Sequence, residues 1–434
     1  MGILFVFFIF WAWKKDPKTR LAFLLCLGLY FLYEVFVPIY DSLAGINSFF
    51  GFSIAGNRSL HLQVAAVYFS GISSFILAYF LFFGWVNFPK NDQISFSFSC
   101  WNANLALKSI IAYQIVVWLL VGFNIHQSGI SLISLLNLQN QSEKDILFSI
   151  HWHSHGIDLL SNSLSVALFL QFWIKRKTDW VWWFFFVLWL AFCLLAGWRY
   201  RIILLLLFFA VYFLRTTRLS GLTLGLIVLA LLFSVSWLTL NRMAIAKRHF
   251  HLVTFDFRQF NGEILTTELS NSRTFKATLI NLKAKGLERG GISSWLDYVW
   301  NKFTPREEFP GGNRPAPWII GATKNWIPPG WPWNPNPAVN QMEEYFLTFG
   351  WIGLFIGMGL MGVWVGFLDF PLANPILVSM QIVGTGLCFQ WISRGFFLYQ
   401  VQITVASMVP FLVLYLVARY LPHDPSKNPT GSIR

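Results

Sequence analysis

The sequence predicts an all-α polytopic membrane protein with about eleven transmembrane helices and one long extracytoplasmic loop that contains short amphipathic helices. Three observations predict it. Only 12% of the 434 residues are charged, against about a quarter in a soluble domain. Apolar runs of roughly 17–25 residues, the length a bilayer core demands, recur along most of the chain. Basic residues collect at the ends of alternate runs, as Lys and Arg do in short cytoplasmic loops.

The first run, residues 2–13, reaches only about 18 Å as a helix. Lys14 and Lys15 follow it, the reverse of the charge order in a cleavable signal. It is therefore expected to be a short span, a half-span, or the remnant of a start placed too late. Further runs lie near 21–39, 60–86, 105–123, 157–174, 180–197, 201–214, 221–240, 345–368, 375–392 and 396–418. Basic residues follow the first run (Lys14, Lys15, Lys18, Arg20), the third (Lys90) and the fifth (Lys175, Arg176, Lys177). They also follow the seventh (Arg215, Arg218) and the eleventh (Arg419, Lys427). All these joins share one side when the N-terminus is outside, so the C-terminal tail is expected in the cytoplasm. The expected organisation is a membrane domain of about eight spans (1–240), an extracytoplasmic loop (241–344), three further spans (345–418) and a cytoplasmic tail (419–434). The net charge of +13 is absorbed by this pattern and implies no nucleic acid. Cys26, Cys100, Cys193 and Cys388 lack paired spacing and read as small apolar residues, not as a disulfide frame or metal site.

Within the long loop, Phe275, Leu279 and Leu282 recur at helical spacing, with Arg273, Lys276, Lys283 and Lys285 between them. This predicts a helix near 271–286 lying on the membrane surface. Residues 309–337 are rich in Pro, Gly and Trp and predict an ordered, irregular cap without regular helices. The loop carries Trp295, Trp300, Trp318, Trp326, Trp331 and Trp333, which can stack on sugars or sit at the bilayer interface.

No cytoplasmic join is long enough for a nucleotide-binding domain, and neither a P-loop nor a dinucleotide turn is present. Chemistry is then expected on a substrate presented in the membrane or at its outer face. Arg199 and Arg201 sit at an outer hairpin that is otherwise apolar, and Arg394-Gly395 at another. Their forked guanidinium groups suit a phosphate or pyrophosphate, or they snorkel to headgroups. Glu343 and Glu344 open the ninth run; they complement its dipole or supply a general base. His151, His153 and His155 would share one face of a strand, but no carboxylate or cysteine completes a metal site there. His249 and His251 are further candidate bases. Glu34, inside the second run, reads as a proton site or a hydrogen bond within the bundle.

These features together resemble the bacterial O-antigen polymerase (Wzy-type) group, the oligosaccharide repeat unit polymerases, and the related O-antigen ligases. The resemblance rests on the many spans, Gly197-Trp198-Arg199 at an outer hairpin, and one large late loop. It also rests on the element from Glu344 to Gly353 (Glu, then Phe349-Gly350 and Gly353) and on Arg394-Gly395. It implies a metal-independent membrane glycosyltransferase, without cofactor, in the bacterial inner membrane. The activity implied is polymerisation of undecaprenyl-pyrophosphate-linked oligosaccharide units into a surface polysaccharide, with polyprenyl pyrophosphate as leaving group. Arg199, Arg201 and Arg394 then match the pyrophosphate-holding role, with Arg242 at the mouth of the loop, and Glu344 or Glu343 the base. Membrane lipids, a chain-length regulator and a flippase are the implied partners. Ligases usually carry a histidine just before the span that follows the loop; here Asn340-Gln341-Met342-Glu343 stands there, which favours a polymerase. Ligase-like transfer, a transporter or flippase of a lipid-linked glycan, and a membrane acyltransferase using His153 or His155 remain open alternatives.

Overall fold

A computed structural model describes residues 20–55, 58–85, 100–127, 151–175, 180–195, 199–216, 237, 270–286, 288–304, 308–309, 317–327, 338–372 and 374–420. Those residues are mostly helical. In chain order the helices are α1 (Leu21–Leu43), α2 (Arg58–Trp85), α3 (Cys100–Gln127), α4 (His151–Lys175), α5 (Trp180–Leu195) and α6 (Arg199–Thr216). After them come α7 (Asn271–Lys285), α8 (Gly291–Phe303), α9 (Trp318–Lys324), α10 (Gln341–Leu368), α11 (Pro375–Arg394) and α12 (Phe397–Tyr420). Two short strands, β1 (Ser48–Phe49) and β2 (Phe52–Ser53), pair antiparallel between α1 and α2.

Among the described residues, five helices are long and apolar enough to cross a membrane: Leu21–Leu43, Arg58–Gly84, Gln341–Leu368, Pro375–Ser393 and Phe397–Leu416. Shorter apolar helices, Leu107–Phe123, Leu159–Trp173 and Trp180–Cys193, lie where three more runs are expected. The runs at 2–13 and, apart from Trp237, at 221–240 lie outside the described residues. The three histidines expected on a strand start helix α4 instead. The backbone there is helical, so the strand on which that three-histidine reading rests is not formed.

The chain forms two compact units. One comprises Met1–Phe88, Leu265–Phe370 and Cys388–Val401; the other comprises Pro89–Ile264, Pro371–Leu387 and Gln402–Arg434. In the second, α3 to α6 pack through Val117, Val121, Leu160, Trp189, Cys193, Ile202 and Leu205. Two hydroxyls of α4 are turned back on the helix: Ser163 and Ser165 donate to the carbonyls of Leu159 and Ser161. In a bilayer such bonds keep polar side chains from facing lipid unsatisfied.

The first unit is built on α2 and α10, which run side by side in the same direction. Gly71 faces Met342 and Leu354, Gly362 faces Phe75 and Tyr79, and Gly366 faces Phe82. Small residues matter here because lipid gives helices no hydrophobic drive to associate, so close backbone approach must do it. A Cβ on Gly362 would overlap the Phe75 carbonyl oxygen. Helix α1 runs opposite to both. Its first amides, Ala22 and Phe23, donate to Asp369 at the end of α10 (2.8 and 3.0 Å), and its Glu34 meets Asn340 at the start of α10. These directions fit the alternation that the second, third and ninth runs require.

Helix α7 spans the residues expected, closed by Gly286 with φ 59°. Its setting differs from the expected surface helix. Every residue from Asn271 to Thr278 is buried, including Arg273 and Lys276. The reason is a partner distant in sequence: Asp41, at the end of α1, neutralises Arg273 within the protein. The cap expected to lack regular helices contains α9, a helix of 7 residues.

Candidate functional site

The polar end of the first unit is assembled from residues of α1, α2, α7, α8, α10, α11 and α12. Asn340 caps α10: its side chain accepts from the Glu343 amide (2.9 Å) and the Glu343 carboxylate accepts from the Asn340 amide (2.9 Å). This reciprocal capping box satisfies two of the helix's orphan donors. The other Glu343 oxygen accepts from the Tyr68 hydroxyl (2.8 Å) of α2. Asn340 Nδ2 donates to Glu34 of α1. Glu34 Oε2 is buried without a hydrogen-bond partner among the described residues. Glu34 lies in a π-helical turn, Leu32–Phe36, an irregularity found frequently at functional sites.

Beside this cluster, Glu344 is fully buried and reaches across to α12. Its Oε2 accepts from the Phe397 amide at 2.6 Å, so a carboxylate sits on the positive end of that helix. Its Oε1 is buried without a hydrogen-bond partner among the described residues. The segment it holds is the Arg394-Gly395-Phe396 turn. Gly395 and Phe396 have φ values of +43° and +65°. A bulky residue rarely takes that conformation, and such strain persists only where surrounding contacts enforce it. Enforcement comes from the neighbours. A Cβ on Gly395 would strike the Val339 carbonyl, so only glycine fits beneath the start of α10. The Phe397 ring stacks on Trp295 of α8 (centroids 4.9 Å, 19° apart), with Tyr345 at 5.4 Å and Trp391 at 5.6 Å.

The third component is basic. Arg273 Nε and Nη2 grip Asp41 at 2.6–3.1 Å, both side chains being 4% exposed. Lys276, one turn along α7, is buried nearby. Burial lowers its pKa from the ordinary lysine value, Asp41 opposes that shift, and Arg273 adds to it. Asn271 anchors the start of α7 to the Ile392 and Ser393 carbonyls at the end of α11. Ser272 Oγ, Thr274 Oγ1 and Ser393 Oγ are buried there without a partner among the described residues. Arg289 donates to the Phe346 carbonyl (2.9 Å) and lies 4.7 Å over the Phe346 ring. It fills the space beside Gly350, where α10 breaks at φ 72°, ψ −152°.

The structure thus joins Glu343, Glu344 and the Arg394-Gly395 turn in one unit. Arg199 and Arg201 open α6 in the other unit, and Arg201 is half-buried. The side chains of Arg199 and Arg394, and Arg242 altogether, lie outside the described residues. Tyr68 and Arg289 are participants that the sequence does not single out, while Trp295 is one of the six loop tryptophans read as sugar-stacking or interfacial. The cap Asn340-x-x-Glu343 does carry a signature, an Asx residue followed by Glu three positions later. Among the described residues no group of three or more His, Cys, Asp or Glu is placed to hold a metal ion.

Fold and site define a helical membrane protein with a packed polar end. Comparison with family models, with curated proteins and with solved structures finds no match for the chain.

Proposed function

We propose that the chain is a membrane glycosyltransferase that polymerises undecaprenyl-pyrophosphate-linked oligosaccharides on the extracytoplasmic side of a bacterial inner membrane. One observation carries the reading: Glu344 and the strained Arg394-Gly395-Phe396 turn, two elements 50 residues apart in sequence, are in direct contact through the bond from Phe397 to Glu344. A carboxylate beside an arginine-bearing turn is what transfer from a pyrophosphate donor needs. A hydroxyl of the acceptor sugar attacks the anomeric carbon of the donor. The bond from that carbon to pyrophosphate breaks, and the leaving group departs as an anion held by arginine. The hydroxyl proton passes to a carboxylate. Glu344 suits this better than Glu343, because its Oε1 has a lone pair to spare while Glu343 is engaged by Tyr68 and Asn340. The aromatic walls at Trp295, Tyr345 and Trp391 suit sugar faces. Glu34, on which a transporter reading would rest, accepts from Asn340, which supports a bond within the bundle.

The experiment is deletion of the gene, followed by electrophoresis of surface polysaccharide and complementation with Arg394→Ala, Arg199→Ala or Glu344→Gln. Loss of a polymerase leaves single repeat units. A ligase loss leaves polymer on its lipid, and a flippase loss leaves neither outside. Normal polymer length from all three variants, each inserted at normal level, refutes the proposed site.

A further inference from the structure

Helix α8 carries a feature that the glycan chemistry does not use. At about 100° per residue its side chains fall into three sectors. Trp295 and Tyr298 form the first and are held by the protein: Trp295 by Phe349 (4.7 Å) and Phe397, Tyr298 edge-on by Phe396 at 4.6 Å. The second sector is Ile292, Leu296, Val299, Trp300 and Phe303, all apolar and all exposed, from 42% to 83%. Ser293, Asp297 and Asn301 form the third, and they are polar. A soluble helix with one face docked would turn its remaining arc to water and make it polar. Here that arc is divided between oil and water.

The docked sector fixes where the apolar sector lies. Phe349 and Tyr345 belong to the first turns of α10, and Phe397 to the first turn of α12, both helices apolar enough to span a membrane. Immediately beyond, α10 exposes Trp351, Ile352, Phe355 and Ile356. That band faces lipid in a spanning helix, and α8 packs against the start of the same helix through Trp295. An exposed stripe rich in aromatic and branched residues, with a polar strip opposite, is the composition of a helix seated in the headgroup and upper acyl region.

We propose that α8 is an interfacial helix. It lies in the bilayer surface with Ile292, Leu296, Trp300 and Phe303 among the acyl chains, and the lipid holds Trp295 against the Phe396–Phe397 turn. The occupant of the stripe is phospholipid, not a second copy of the chain. This inference stands whether or not the chain transfers sugars.

The test is photocrosslinking of the full chain in vesicles of phosphatidylethanolamine and phosphatidylglycerol with tritiated acyl chains. p-Benzoylphenylalanine replaces Ile292, Leu296, Trp300 or Phe303 in one set, and Ser293, Asp297 or Asn301 in the other. The apolar set is expected to take lipid label about fivefold or more above the polar set. Equal labelling of both sets overturns the proposal. So do adducts from the apolar set to another polypeptide in place of lipid, including a second copy. A misfolded variant would erase the helical periodicity, so the pattern across seven positions protects the readout from any one failure.

Discussion

The ion pair between Asp41 and Arg273 gives the sharpest quantitative test of how α7 is held. Both side chains are 4% exposed, with guanidinium nitrogens 2.6–3.1 Å from the carboxylate. Removing one partner of such a pair strands a buried charge and costs about 3–5 kcal/mol. Lys276 breaks the symmetry of that cost. In Asp41→Asn, Arg273 and Lys276 both lose their anion, placing the loss at the upper end, about 5 kcal/mol. In Arg273→Met, Lys276 still faces Asp41, whose field raises the Lys276 pKa, so the loss is about 3 kcal/mol. Independent effects would add to about 8 kcal/mol in the double variant. Asp41→Asn with Arg273→Met removes both charges of the pair, and Lys276 loses the Arg273 repulsion together with the Asp41 attraction, so the cost is expected to stay under about 2 kcal/mol. The assay is a heat ramp in detergent with a thiol-reactive dye, which reads exposure of the buried Cys26 and Cys388 in the same unit. A double variant less stable than either single one refutes the reasoning, as does an Arg273→Met protein that melts like the parent.

Three further outcomes are expected from the same bundle. Gly362→Ala puts a methyl into the Phe75 carbonyl and should lower stability by about 1–3 kcal/mol, read in the same heat ramp. Asn340→Ala loses a cap worth about 1 kcal/mol and leaves the buried Glu34 without its donor, so its total should exceed about 2 kcal/mol; a loss limited to the cap value would show that the Glu34 bond contributes nothing. Lys276 has a folded-state pKa below its unfolded one. The unfolded chain then binds more protons between the lowered value and about 10.4, so this residue makes stability rise with pH across that window. Lys276→Met should remove that rise and melt higher than the parent at neutral pH; an unchanged alkaline slope would count against the burial of the amine.

How far the sequence discloses this arrangement depends on the distance between partners. Helix α7 is legible almost to the residue, because Phe275, Leu279 and Leu282 set its period and Gly286 its end. Its depth is not legible. Spacing ranks the faces of a helix but says nothing of what covers them, and Asp41 lies 232 residues away. Glu34 looks solitary for the same reason: its partner Asn340 is 306 residues distant. Glu343 and Glu344 are adjacent and look alike, yet the structure turns one to Tyr68 and the other to α12. That divergence follows from helix geometry, which sets neighbours about 100° apart. Arg394-Gly395 is legible as a motif, while the reason for its glycine, the Val339 carbonyl, appears only in three dimensions. For His151, His153 and His155, alternate spacing suggests a strand, and the apolar run that follows makes the helix.

The two ends of the first unit differ in a way that bears on where work is done. At one end Asp369 accepts from the amides of Ala22 and Phe23 and from the Tyr79 hydroxyl, at 2.8–3.0 Å. Those bonds close the start of α1, and a buried carboxylate so engaged is explained by structure alone. The opposite end holds Glu34, Asp41, Glu343, Glu344, Arg273 and Lys276, all buried. Capping α10 and α12 accounts for Glu343 and Glu344 Oε2, and pairing accounts for Asp41 with Arg273. It does not account for Glu344 Oε1, or for the hydroxyls of Ser272, Thr274 and Ser393, which lack partners among the described residues. Polar atoms buried unsatisfied cost stability, so a group of them at one end calls for a reason beyond closure. The excess polarity, the π-turn at Glu34 and the strained Phe396 all fall on one end, where α7 and α8 return to the spans. Local rules are broken together there, the distribution expected when stability is given up for a site.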